Sequence, residues 1–403
     1  MISTNNLIIA IIAIIAVGCS NIQDIEHPNQ NIEKCNKHLP SLSATEATEI
    51  AELILNKTRT RTIKNLKPTI EYVVNATSTT RSDSNVDTLA YVLNYPDDAG
   101  FAIIASSKNV YPILAFSPYG NFSFNNEGAI NNFINNLNNY IKNADYSTEY
   151  TITEESLDGC YSISPQFQTS LSQDAPWNKY VTKGYPGCKV GCVAVATALT
   201  MANSQLTIKY HDKIYYLNAI MKAIHSHQQG QLSENSTKKI VGVNPTQPTY
   251  TYEQAEDIMA ALLYQLGLDM GMKYGKNASS TNSINAYNLC LSLNLPVIPN
   301  DKYNPITTTL PSFDYTTVMQ LIRDNHIIYL RGVADFSATG HAWVGDGGYF
   351  CVDPSDRNKI IEYYIHCDWG FGGAGNGYYS GSVFSYEDTN YRLMGYFAMK
   401  KTF

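Results

Sequence analysis

The stretch Gly191-Cys192-Val193-Ala194-Val195-Ala196-Thr197-Ala198 sets a thiol directly before a run of small residues that continues to Met201. The run holds neither Gly nor Pro and predicts a helix over residues 193–202, with Cys192 at its N-terminus. A sulfur there faces unpaired backbone N–H groups and the positive end of the helix dipole, and both favour the reactive thiolate. The same N–H groups suit an oxyanion in acyl transfer. The competing reading is an inert core cysteine, since free Cys is among the most buried residue types. Cys188, in loop-like sequence four residues earlier, is a rival nucleophile.

A second stretch supplies the base. His326–Val333 reads as a buried strand, residues 334–340 as a turn, and His341-Ala342-Trp343-Val344-Gly345 as the next strand with His341 at its first position. A strand end is a rigid place from which an imidazole reaches a neighbouring helix tip. Ile360–Cys367 reads as a further strand, running into Asp368-Trp369-Gly370-Phe371-Gly372-Gly373. In this reading Trp369 shields a Cys–His pair from water. Asp368 accepts the second imidazole N–H, as a triad's third member does. The plain alternative is a hydrogen-bonded strand histidine beside a tight Gly/Trp turn.

Taken together, the two stretches resemble streptopain-type secreted cysteine peptidases of the papain-like group. The family's Gly-Cys-Val-Ala-x-Ala-x-Ala segment is matched by Gly191–Ala198, and its Gly-His-Ala-x-Val segment by Gly340–Val344. Its Trp-Gly-Trp-Gly-Gly loop is matched by Trp369–Gly373, with Phe371 for the second Trp. Residues 164–178 resemble the start of the mature enzyme, with Leu171 where the family has Trp. Residues 262–280 resemble the helix and Ser/Gly loop between the two halves, whereas residues 203–250 match poorly. The resemblance implies an α+β, papain-like peptidase of two subdomains, a helical half carrying Cys192 and an antiparallel sheet half carrying His341. It further implies Gly340 and Ser280 as substrate-backbone binders and Gln173 as a cleft residue. Asp368 departs from the Asn usual before the loop Trp.

Leu7–Val17 is an almost uninterrupted apolar run, long enough for a signal-peptide core and too short for a membrane span. It ends at Ala16-Val17-Gly18-Cys19, which resembles a bacterial lipobox with Cys19 as the lipidated residue, although no Lys or Arg precedes the run. A lipid-anchored or otherwise secreted extracytoplasmic protein is expected, tethered to the membrane through Cys19. Polar residues 20–34 then read as a flexible tether. Helical spacing over Thr45–Leu55, strands over residues 87–95, 100–105 and 111–117, and an Asn-rich helix over residues 131–141 describe a small α+β domain. Its Gly-Phe-x-Ile-x-Ala segment, Gly100–Ala105, resembles the streptopain propeptide, which implies an inhibitor removed by a cut within residues 146–164. The chain thus divides into a signal peptide (1–18), a tether (19–40), a propeptide domain (41–150) and a peptidase domain (151–403).

A length of 403 residues suits two to three domains. The net charge of −7 argues against a nucleic-acid partner, and the patch Arg59, Arg61, Lys64 and Lys67 reads as a solvated face. Protein or peptide substrates and the chain's own propeptide are the expected partners, with no cofactor. With Cys19 lipidated and Cys192 catalytic, six cysteines remain, which allow fifteen pairings. Cys351 and Cys367 flank a turn and are candidates to face each other. There is no Cys-x-x-Cys pair, and His225-Ser226-His227, read as strand, would put its imidazoles on opposite faces, so no metal is expected. Two other functions fit the chemistry less well. A papain-like cell-wall amidase usually carries Asp-Cys-Ser at the nucleophile, and a silent binding module would have lost Cys192 or His341.

Overall fold

A computed structural model describes residues 41–59, 66–74, 88–123, 133, 137, 140–141, 144, 147–167, 171–228, 247–299, 310–333, 340–353, 355–384 and 395–402. The leader, Cys19 and the tether lie outside them, as do Cys35, Arg61 and Lys64. Residues Pro40–Phe403 form one compact unit.

Local rules account for the first elements. Ser43 accepts the Glu46 N–H while Glu46 reaches back to the Ser43 N–H, a capping box that starts the Ala44–Thr58 helix. Its apolar stripe, Ala47, Ile50, Ala51, Ile54 and Leu55, is buried against a four-stranded antiparallel meander: β1 (Thr69–Val74), β2 (Thr88–Asn94), β3 (Phe101–Ala105) and β4 (Ile113–Ser117). Arg59 is not wholly solvated, since its Nε donates to the Pro118 carbonyl at 2.8 Å. Phe133, Leu137, Tyr140 and Ile141 are helical, and Phe133 and Leu137 are buried.

Downstream come β5 (Cys160–Ile163), the helix Cys192–Ser204, the hairpin β6 (Ile208–Tyr210) and β7 (Lys213–Tyr215), and helices Leu217–Gln228, Tyr252–Asp269 and Ser283–Ser292. β8 (Val297–Ile298), β9 (His326–Val333), β10 (Gly340–Asp353), β11 (Asp356–Asp368), β12 (Gly377–Ser380) and β13 (Gly395–Lys400) then complete an eleven-stranded sheet. Its order is β1-β2-β3-β4-β12-β11-β10-β9-β13-β8, with β5 also paired to β10. The α+β, papain-like reading holds, and the N-terminal meander is continuous with the C-terminal sheet through the β4–β12 seam.

That seam is apolar and aromatic. Tyr378 pairs with Phe116 and Tyr379 with Ala115. The Phe116 ring, fully buried, meets Tyr349 and Tyr364 edge-on at 5.3 Å and stacks on Tyr378 at 5.0 Å. Tyr364 also donates its hydroxyl to the Ile113 carbonyl at 2.9 Å. Phe116→Ala is expected to cost ~3–5 kcal/mol, seen as a lower urea midpoint for the N-terminal unit. An unchanged midpoint would show that the seam carries little of the docking.

The sequence stops the His341 strand at Gly345, yet β10 continues to Asp353. Glycine weakens a strand but permits close approach. A Cβ at Gly347 would lie 2.4 Å from the Ile163 carbonyl of β5, and one at Gly345 would lie 3.0 Å from Ile365. These glycines let β5 and the β11 side chains close onto β10.

Two expectations need correction. Cys351 does not face Cys367. The hairpin register puts Cys351 opposite Glu362 on one side and opposite Cys160 of β5 on the other, and Cys160–Cys351 is the disulfide. Cys367 is free and buried opposite Gly345, as Cys188 and Cys290 are also free and buried. His225 and His227 lie on a helix, not a strand, and the His227 ring stacks on Tyr252 at 3.7 Å. No His/Cys/Asp/Glu cluster among the described residues has the form of a metal site. No helix among them is long and apolar enough to cross a membrane.

Candidate active site

The helix Cys192–Ser204 runs through the core with every residue from Val193 onward buried. Its polar residues bond back to the preceding turn: Thr197 to the Val193 carbonyl at 2.6 Å, Thr200 to Ala196 at 2.7 Å and Ser204 to Thr200 at 2.6 Å. A small-residue helix with internally satisfied hydroxyls packs flush against β9 and β10.

Gly191 caps this helix at φ +97°, a backbone region L side chains avoid, and a Cβ there would sit 2.8 Å from the Met272 thioether. The loop before it is pinned from both flanks. Val190 donates to the Gln173 carbonyl at 2.9 Å and Lys189 to Gly275 at 3.1 Å. Ser279 Oγ donates to the Lys189 carbonyl at 2.6 Å and accepts the Gly275 N–H at 3.0 Å. The thiol therefore has a fixed origin.

The Cys192 helix packs on β10, whose second residue is His341. The sulfur receives the backbone N–H of Ala342, the residue after His341, and those of Val193 and Cys192 itself. His341 Nε2 lies 2.9 Å from the Trp369 carbonyl oxygen. A carbonyl only accepts, so Nε2 carries the proton and Nδ1 is left as the basic nitrogen of the neutral ring. Burial pushes the Cys192 thiol up, against the pull of the three N–H groups. Burial likewise holds the His341 imidazole down to about 4, against the Trp369 carbonyl. At neutral pH Cys192 is thus a thiol and His341 a neutral imidazole. The helix terminus alone predicts a thiolate, but desolvation outweighs it in this form of the chain.

Two role assignments shift by one or two residues. The group on His341 Nε2 is the Trp369 carbonyl, not the Asp368 carboxylate. Asp368 is buried, and its Oδ1 instead accepts the Gly370 N–H at 3.1 Å. Trp369 does not roof the pair: its fully buried ring packs on Trp343 at 5.2 Å and Tyr379 at 5.1 Å, and its indole N–H donates to the Gly375 carbonyl at 3.1 Å. The ring nearest the imidazole is Phe371, stacked at 4.6 Å, with Trp343 stacked at the longer distance of 6.2 Å. Gly370, at φ +70°, turns the chain between them, so the Phe371 and Trp369 rings leave the loop in different directions.

The remaining candidates sit around this centre. Gln173 lies beside the loop before Cys192, its carbonyl on Val190. Ser280 is exposed and bridges Lys273 through its backbone, next to Ser279 beneath Gly191. Gly340 is exposed at the first position of β10, paired with Val333. Sequence reasoning missed Phe371 as the roof, Asn376, whose Oδ1 accepts the Trp369 N–H at 3.0 Å, and Tyr329. Buried Tyr329 stacks on Phe397 at 4.6 Å, donates to Ser283 Oγ at 3.0 Å, and lies within electrostatic range of Cys192. An Asn within a Gly-rich run reads as a turn former, so nothing local marked Asn376.

A helix-borne thiol meeting a strand-borne imidazole across a helix–sheet boundary defines a papain-like cysteine peptidase. The sequence pattern of the Peptidase C10 family matches residues 171–379, more than half of the chain, and that of the Spi protease inhibitor matches residues 39–154. The chain belongs to the Peptidase C10 family and is a cysteine peptidase zymogen with an N-terminal inhibitory propeptide. Among solved structures, a mutant fragment of Prevotella intermedia prointerpain A matches at 16% identity and a TM-score of 0.47, covering 82% of this chain and 98% of that one. Active wild-type interpain A cysteine protease from the same organism matches at 17% identity and a TM-score of 0.33, covering 59% and 94%. A search of curated proteins found no match.

Proposed function

We propose that this zymogen matures into an endopeptidase that cleaves proteins with Cys192 as nucleophile and His341 as base and acid, acting outside the cytoplasm from a lipid anchor at Cys19. The observation that carries the chemistry is the meeting of the Cys192 sulfur with the Ala342 N–H while His341 Nε2 is held on the Trp369 carbonyl. His341 Nδ1 takes the thiol proton as sulfur attacks the scissile carbonyl carbon. The Cys192 N–H at the helix terminus stabilises the oxyanion, with the Gln173 side chain as a second candidate donor. The imidazolium then gives its proton to the departing amine, leaving a thioester. Water, deprotonated by the same nitrogen, releases the acid and restores the thiol. Gly340 and Ser280 offer backbone and hydroxyl contacts to an extended substrate.

The test is incubation of the residue 20–403 protein in reductant, followed by intact mass and casein hydrolysis. Loss of a propeptide-sized fragment with a rise in activity is expected. Protein that stays inert after the N-terminal domain is trimmed away would instead favour a binding module. For the anchor, Cys19→Ala is expected to move the protein from the membrane fraction to the soluble one, and an unchanged distribution would discard lipidation.

The propeptide seam carries a pH dependence. Glu362 of β11 is buried, accepting from Ser380, Ser382 and the Tyr363 N–H. Burial pushes its carboxyl up to about 7. Tyr111 and Tyr140 of the propeptide and Tyr364 of β11 lie within electrostatic range, and Tyr140 bonds Ser382. Undocking that returns Glu362 to water restores an ordinary carboxylate value, so the docked state holds the extra proton. Docking is then strongest in acid, weakens by up to tenfold per unit as pH rises from about 4.5 to about 7, and is flat above. Propeptide release from nicked Cys192→Ala zymogen between pH 5 and 8 measures this, and Glu362→Gln is expected to remove the slope.

A further inference from the structure

We infer that Asp368 is a positioning residue that acts on His341 through the Trp369–Gly370 peptide bond, with Asn376 holding the adjoining Asp368–Trp369 peptide in place. The inference rests on the reading of Cys192 and His341 as the reacting pair.

One peptide unit lies between the carboxylate and the imidazole. Its carbonyl, that of Trp369, is 2.9 Å from His341 Nε2. Its N–H, that of Gly370, points the opposite way and donates to Asp368 Oδ1 at 3.1 Å. In a trans peptide the C=O and N–H are antiparallel, so an anion at the N–H end polarises the C=O end. The carbonyl becomes a better acceptor for the imidazole N–H, and the imidazolium that forms during catalysis is stabilised most.

Asn376 holds the preceding peptide unit, Asp368–Trp369, and so fixes where the next one starts. Its Oδ1 accepts the Trp369 N–H at 3.0 Å, and its side chain also bonds Asp368. The bend needs Gly370, at φ +70°, where a Cβ would come within 3.0 Å of Val195 on the Cys192 helix. The Trp369 ring, held by its own N–H on the Gly375 carbonyl, keeps the peptide from rotating. Asp368 is buried, which together with nearby Asp346 pushes its carboxyl up to about 6, so above that pH its charge acts in a low-dielectric setting. Near it lie Asp346 and His366, themselves paired at 2.5 Å.

Asp368→Asn separates charge from shape, because an amide oxygen at the same place still accepts the Gly370 N–H. Hydrogen bonds to charged groups exceed neutral ones by about 1 kcal/mol, so the mature variant is expected to lose about five- to tenfold in kcat with KM unchanged. The acid limb of its pH profile should move to lower pH, since a less polarised carbonyl supports the imidazolium less. Asn376→Ala keeps the carboxylate and frees the peptide, and is expected to lower kcat by at least as much, again without a change in KM. A purely structural role would change thermal stability alone. Wild-type kcat and an unmoved acid limb in Asp368→Asn would overturn the inference. Alkylation of Cys192 in the wild type is the parallel control: activity that survived it would sink the reading of the reacting pair, whatever the Asp368 variant did.

Discussion

Cys192→Ala is expected to leave the zymogen whole in reductant and to reduce casein hydrolysis by at least about 10⁴-fold after the propeptide is trimmed in trans, since nothing replaces the nucleophile. The fold should survive. Gly191, not Cys192, provides the cap, and Ala suits a first helical turn better than Cys. Trimmed His341→Ala should fall by a similar factor, and the double variant no further, because a nucleophile and its base act as one unit. Residual activity well above that floor in Cys192→Ala, with Cys188 then sensitive to alkylation, would move the nucleophile to Cys188. That outcome is disfavoured by the geometry. Cys188 is buried and precedes the pinned loop, with its carbonyl held by Asn178 Nδ2 at 3.1 Å.

The second large effect is covalent. Cys160 falls between the inhibitor match, which ends at residue 154, and the peptidase match, which begins at residue 171. Its partner Cys351 is in β10 of the peptidase sheet. A chain cut after Cys160, anywhere in residues 161–167, therefore stays one covalent body. Two equivalents of a small thiol must first exchange with the bond, giving two protein thiols and the oxidised thiol. A cut before Cys160, for instance in the exposed run of residues 147–151, frees the propeptide without reductant and leaves β5 on the mature enzyme. Denaturing gels of zymogen nicked at each side by an inserted protease site, run with and without reductant, measure this. The downstream-cut protein is expected to separate only when reduced, and Cys351→Ser should separate in either case. Separation of the unreduced wild type after a downstream cut would show that the bond does not form.

The sheet that docks the propeptide also explains why docking and chemistry are neighbours. Phe133 packs on Tyr379 at 4.9 Å, and Tyr379 packs on Trp369, whose carbonyl holds His341. The β4–β12 seam lies one strand from Glu362 and two from β10. Removing the propeptide thus uncovers residues that pack against the loop presenting the Trp369 carbonyl.

Much of this site was legible in one dimension. A thiol before a Gly- and Pro-free small-residue run reads as a helix N-terminus from propensity alone, and His326–Val333 reads as a strand from its apolar content; both appear at those positions. The capping boxes at Ser43/Glu46 and Thr251/Gln254 are likewise local facts. Side-chain identity and short-range backbone preference determined these by themselves. Tertiary structure alone decided the Cys160–Cys351 pairing, the joining of two sheets at Phe116 and Tyr378, the extension of β10 through its glycines, and the choice of Phe371 over Trp369 as the ring on the imidazole. Strand register and order set each of these, and neither leaves a signature in nearby residues. The acceptor for His341 belongs to the same class. It is a main-chain carbonyl, which every residue carries, so only the path of the chain between Asp368 and Asn376 could select which one faces the histidine.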